Sequence, residues 1–130
     1  MEIHKTYVID ATREEVWAAL TDPKVIERWG GGPVAMGAQP GFAFRFWDGD
    51  IHGTVRTVDP DRSMLQEWYG GEWDEPSFVC FTLTDEPSGG TRVKLDHTNV
   101  PADEAADFDA GWDAYYMGPL KELLEKRPAS

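Results

Sequence analysis

Residues 92–97, RVKLDH, alternate without a slip: Arg92, Lys94 and Asp96 on one side, Val93, Leu95 and His97 on the other. A period of two is what a strand with one wet face and one buried face requires. Four similar runs precede it, at 42–47, 51–58, 64–69 and 78–83. They are cut apart by Asp48-Gly49-Asp50, Asp59-Pro60-Asp61, the loop 70–76 and the turn Pro87 to Gly90. Connections this short suit hairpins and leave no room for crossover helices, so the series is expected to form an antiparallel meander. A sixth run, EIHKTYVI at 2–9, lies apart at the N-terminus.

The same alternation assigns the faces. With Glu67 outside, Met64, Gln66 and Trp68 point inward. Phe42, Phe44 and Phe46 turn in against an outward Arg45, which sends Trp47 out. Val79, Phe81 and Leu83 are inward in their run, and Ile51, Gly53 and Val55 in theirs. His97 ends the last strand on the inner side. Two polar side chains, Gln66 and His97, are thus expected inside.

Helices must cover that inner face. Thr12-Arg-Glu-Glu15 is a capping box opening a helix through Val16, Trp17 and Leu20. A second short helix starts at Asp22-Pro23, carries Val25, Ile26 and Trp29, and stops at Gly30. Gly30 to Gly41 reads as a loop. A long C-terminal helix begins within Val100 to Glu104 and runs to about Lys126. Projected at about 100° per residue, Phe108, Trp112, Tyr115, Tyr116, Pro119 and Leu123 share one stripe, with Leu120 at its edge. Gly111 and Gly118 flank the stripe and are expected to permit close packing on neighbouring elements, while Pro119 is expected to bend the helix. The order is an α+β design: six antiparallel strands, two short helices after the first strand, and one long helix across a sheet face.

Charge removes several function classes. The chain carries 24 acidic against 12 basic residues, a formal net charge of -12, which repels phosphate backbones and anionic membranes, so no nucleic-acid partner is expected. No run approaches the ~18 apolar residues of a membrane span, and the first ten residues lack a signal-peptide layout, so a cytoplasmic protein is expected. Cys80, the single cysteine, cannot build a thiolate metal site alone. His4, His52 and His97 have no metal-ligand spacing, and no P-loop, dinucleotide fingerprint or nucleophile elbow occurs. The expectation is no metal and no cofactor.

Three longer stretches, EEVWAALTDPKVIERW, GFAFRFWDGDIHGTVRTVDPDRSML and FTLTDEPSGGTRVKLDHTNVPADEAADFDAGWDAYYMGPLKELLE, together resemble the activator of heat-shock-protein-90 ATPase homologue-like family, within the START/Bet v 1-like (SRPBCC) superfamily. The resemblance covers residues 3 to 125. It implies a helix-grip fold, in which a curved six-stranded antiparallel sheet wraps the long C-terminal helix around a cavity, and residues 1–130 as a single START-like domain. Members of the superfamily bind apolar ligands, and some are cyclases or dehydratases. Gln66 stands where an apolar or aromatic residue is expected and reads as a polar contact inside the cavity.

The expected function is therefore binding of a small, largely apolar or aromatic ligand, with a link to stress response implied by the family. Trp29, Phe44, Phe46, Trp68, Phe81, Trp112 and Tyr115 are the candidate walls, and Gln66, His97 and Tyr116 the candidate polar anchors. No catalytic residue is assigned. The alternative is a cyclase, dehydratase or hydrolase with His97 as general acid/base. A third reading, ranked below both, is a chaperone-interacting protein using the exposed-looking Trp73 of YGGEWDEP, whose other reading is a lid over the cavity mouth. A homodimer across a sheet edge or helix surface is compatible with the sequence.

Overall fold

A computed structural model describes residues 1–70 and 73–126; Gly71 and Glu72 of the expected 70–76 loop, and residues 127–130, lie outside them. The elements run β1 (Ile3–Ile9), α1 (Arg13–Thr21), α2 (Pro23–Trp29), β2 (Ala43–Phe46), β3 (Ile51–Asp59), β4 (Ser63–Gly70), β5 (Ser77–Asp85) and β6 (Thr91–Thr98). A C-terminal helix follows in three parts, α3 (Ala105–Gly111), a π-helical segment (Trp112–Met117) and α4 (Gly118–Glu125). All six strands form one antiparallel sheet in the order β1-β6-β5-β4-β3-β2.

Local chemistry sets these boundaries. The Thr12 side chain accepts from the Glu15 amide while the Glu15 carboxylate accepts from the Thr12 amide, closing the capping box. Asp22 caps α2 ahead of Pro23, and Gly30 ends it in a left-handed conformation. The five-strand meander turns where expected, and the inner faces are buried as the alternation requires: Met64, Gln66 and Trp68 in β4, Val79, Phe81 and Leu83 in β5, Val93, Leu95 and His97 in β6.

Two expectations are corrected. Trp47 does not continue β2 outward. It takes φ 51° at the start of a tight turn through Gly49, which swings the indole back, half-buried, against Trp29, Phe46 and Tyr116, where its Nε1 donates to the Gly30 carbonyl at 2.8 Å. Alternation predicts a face only while the backbone stays extended, and a positive φ ends that regime.

The second correction concerns the C-terminal helix. The straight projection puts Tyr115 within the apolar stripe, yet 69% of its surface is exposed, whereas Met117 and Leu120 are fully buried. The cause is the Gly-Pro pair. Pro119 has no N–H for the α-helical ladder, and Gly118 lets the Asp113 carbonyl approach so closely that a Cβ there would lie 2.0 Å from its oxygen. The backbone takes a π turn, which winds fewer degrees per residue than an α-helix and so rotates every following side chain out of the straight projection. Gly118 therefore admits its own helix's carbonyl, not a neighbouring element. Gly111 permits no close approach either, since the nearest atom to a Cβ there is Tyr115 Cδ2 at 3.8 Å.

Candidate functional site

The C-terminal helix is tied to the sheet along one flank and stands off it along the other. On one flank Lys5 and Tyr7, inner-facing residues of β1, reach up to the helix. Lys5 Nζ lies 2.5 Å from Asp109 and 2.8 Å from Asp113, and the Tyr7 hydroxyl donates to Asp113 at 2.6 Å. Those hydrogen bonds from Lys5 and Tyr7 hold the Asp113 carboxyl below the usual carboxylate range. On the opposite flank the helix does not close onto the β2–β3 turn. A cleft of about 410 Å³ remains there. The helix contributes Asp107, Phe108, Gly111, Trp112, Tyr115 and Tyr116 to it, and the sheet side contributes Trp47, Ile51 and Trp68.

The indoles on the cleft wall are fixed by buried hydrogen bonds. Trp112 Nε1 donates to His97 Nδ1 at 3.0 Å, which places the imidazole proton on Nε2, 2.8 Å from Ser77 Oγ. The Ser77 hydroxyl points on to the Trp68 carbonyl at 3.4 Å. Trp68 Nε1 donates to Gln66 Oε1 at 2.6 Å, and the Gln66 amide reaches Met64 Sδ at 3.0 Å. Burial lowers the His97 pKa to about 4, so the ring is neutral and committed at both nitrogens. Such a histidine orients an indole. It is poorly placed to exchange protons with a substrate.

The wall is backed by an aromatic cluster centred on Tyr116, which itself lines the cleft. Its ring centroid is 4.7 Å from Trp29, 4.8 Å from Trp112 and 5.5 Å from Phe46, the last nearly parallel. Phe81 and Trp68 complete the surround at about 6 Å. The Trp29 indole is also satisfied, donating to the Ala19 carbonyl at 2.8 Å. Against this background one group stands out. The Tyr116 hydroxyl is buried with no hydrogen-bond partner among the described residues. An orphaned buried hydroxyl costs about 1–3 kcal/mol. Burial also pushes its pKa well up, so it stays protonated and able to donate.

Of the ten candidate residues, Trp68, Trp112, Tyr115 and Tyr116 meet at the cleft, Tyr115 from its solvent side. Trp29, Phe44, Phe46 and Phe81 pack in the cluster behind it, and Gln66 and His97 brace the indoles from below. The residues sequence reasoning missed are Trp47, Ile51, Asp107, Phe108 and Gly111. Asp48-Gly49 marked the turn that brings Trp47 in, but not its hand. Trp73 is half-buried, not exposed: its Nε1 donates to Glu104 Oε2 at 2.5 Å and its ring packs on Phe108, 5.3 Å between centroids, at the cleft rim. No described helix is long and apolar enough to cross a membrane. Among the described residues no cluster of three His, Cys, Asp or Glu could hold a metal.

Comparison with known proteins agrees with this architecture. The mouse activator of 90 kDa heat shock protein ATPase homolog 2 is 25% identical over 124 residues, covering 95% of this chain and 38% of its own length. This chain thus spans little more than a third of that relative. The crystal structure of DynU16, a protein of the dynemicin biosynthetic locus, superposes with a TM-score of 0.81 at 27% identity, over 96% of this chain and 47% of that one. The solution structure of the Aha1 dimer from Colwellia psychrerythraea gives 0.83 at 21% identity, over 97% of each chain. Both solved structures share this chain's fold. A family model described as Activator of Hsp90 ATPase homolog 1-like protein matches residues 10–125, and the chain belongs to that family.

Proposed function

We propose that this protein binds a small, largely apolar ligand in the cleft between the C-terminal helix and the β2–β3 end of the sheet. The observation that carries the reading is the lining. Five of the nine wall residues are Trp47, Trp68, Phe108, Trp112 and Tyr116, Tyr115 adds a sixth aromatic at the rim, and Asp107 is the one ionisable carboxylate. The volume falls within the range of about 300–1,000 Å³ typical of small-molecule sites. Membership of a ligand-binding fold family supports the same reading. The engagement of both His97 nitrogens favours binding over acid/base catalysis.

The test is a titration of tryptophan emission with neutral bicyclic aromatics, since three indoles face the cleft. A saturable one-to-one change is expected in the parent. It should be lost in Gly111→Leu, which fills the mouth where a Cβ has open space, with unchanged circular dichroism. A parent that shows no saturable change would overturn the proposal. We propose in addition that residues 1–130 form one START-like domain and that the chain pairs as a homodimer like that of the Colwellia relative, with a chaperone role such as the mouse relative's name describes ranked below these.

A further inference from the structure

We infer that the cleft's ligand is a neutral, flat aromatic molecule bearing a carbonyl or similar oxygen, which enters oxygen-first and accepts a hydrogen bond from Tyr116. The inference rests on the binding reading above and names the ligand's chemistry. Its basis is a contrast inside one wall. Trp47, Trp68 and Trp112 each place their indole N–H on a protein acceptor, at 2.8, 2.6 and 3.0 Å. Gln66, Ser77, Thr91 and His97, the buried polar side chains of the sheet, are likewise paired. Tyr116 lines the same cleft; its hydroxyl, covered from any water-sized group and so reached by a ligand oxygen only as a neighbouring ring gives way, is the buried side-chain polar atom without a partner among the described residues. A phenylalanine would fill the aromatic cluster equally well and leave nothing unpaired. A hydroxyl retained at that cost is explained by a partner that arrives with the ligand.

The rest of the wall defines the ligand's body. Trp68 and Trp112 are 4.9 Å apart at 30°, a broad aromatic surface on which a planar ring stacks, with Ile51 and Phe108 closing the sides. Asp107 at the wall and the net charge of -12 oppose an anionic ligand, so the oxygen belongs to a neutral group.

A matched probe pair separates this claim from its premise. 2-Acetylnaphthalene and 2-isopropenylnaphthalene share a trigonal branching carbon and differ in a carbonyl oxygen replaced by CH2. Calorimetric titration of the parent should give about tenfold tighter binding of the acetyl compound. Tyr116→Phe should erase that preference while leaving the isopropenyl compound's affinity within about twofold. Equal affinities in the parent, or a preference that survives in Tyr116→Phe, would overturn the hydrogen-bond assignment and leave the cleft as a purely apolar site. A parent that binds neither compound would overturn the binding reading as well. Because the substitution removes a single oxygen from a packed ring, loss of fold is not an expected outcome; circular dichroism of the variant checks it.

Discussion

The two flanks of the C-terminal helix are built on opposite plans. Toward β1 the helix is tied down by Lys5, Tyr7, Asp109 and Asp113 in directed, charge-assisted contacts, and further along Glu125 accepts the Asp10 amide. Toward β2 and β3 it presents Gly111, Phe108 and Tyr115 to an open cleft. A helix gripped evenly on both sides would have a solid core beneath it. Polar anchoring on one side lets the apolar side remain unfilled without the helix drifting. The switch between the plans is the π segment, which turns Tyr115 outward to the rim while keeping Trp112 and Tyr116 on the inner wall.

Four substitutions or conditions probe that contrast. The largest effect belongs to Gly118→Ala, whose Cβ would meet the Asp113 carbonyl oxygen at 2.0 Å. We expect a loss of about 4 kcal/mol and a fall in Tm of more than about 10 °C by thermal unfolding. An unchanged Tm would mean that the π turn is not what positions the flanks.

Acid is next. The unfolded chain's imidazole takes up its proton near 6.5, whereas folded His97 does so only at about 4. Between those values the unfolded state holds the extra proton, so stability falls as pH drops through the window and levels off below it. The gap corresponds to about 3 kcal/mol, read by denaturant titration across pH 4 to 7. His97→Gln should flatten that slope at a cost in Trp112 placement. If the slope is the same in the variant, the Trp112–His97–Ser77 chain does not hold the cleft wall.

Smaller effects test each flank alone. Asp113→Asn keeps the shape of the anchor but removes the ion pair with Lys5. Asp113 is largely exposed and Lys5 keeps Asp109, so the expected loss is below about 1 kcal/mol and shrinks in high salt. Probe affinity at the cleft should not change. Gly111→Ala has the opposite sign: its φ of -65° is helical and a Cβ has room, so a gain of about 0.5 kcal/mol is expected. A loss instead would show that the open flank is more crowded than the structure has it.

What the sequence made readable follows from how local each signal is. The inner faces of β4, β5 and β6 were legible because period-two alternation needs only an extended backbone. The Thr12 and Asp22 caps were legible because their hydrogen bonds close within three residues. Tyr115 escapes a straight 3.6-residue projection because it lies inside Trp112–Met117, where the winding is π rather than α. The proline was recognised as a disturbance, but a bend and a widened turn have the same signature in sequence. Trp47 was misplaced because the hand of a single φ decides its face. The Lys5, Tyr7 and Asp113 anchor went unseen for another reason: it joins residues more than a hundred positions apart, and no periodicity reports such a pairing.

The sheet order carries a consequence of its own for how the chain reaches this shape. β1 pairs with β6, the last strand to be made, and the Met1 amino group bonds the Val100 carbonyl 99 positions along. The first strand synthesised therefore has no edge to join until β6 exists, while the β2–β6 meander closes hairpin by hairpin as it emerges. Closing so large a loop is entropically slow, so the N-terminal strand and the helix it anchors dock late. On that order we expect the floor of the cleft to be laid down before its roof, with the meander's apolar inner face uncovered in the interval.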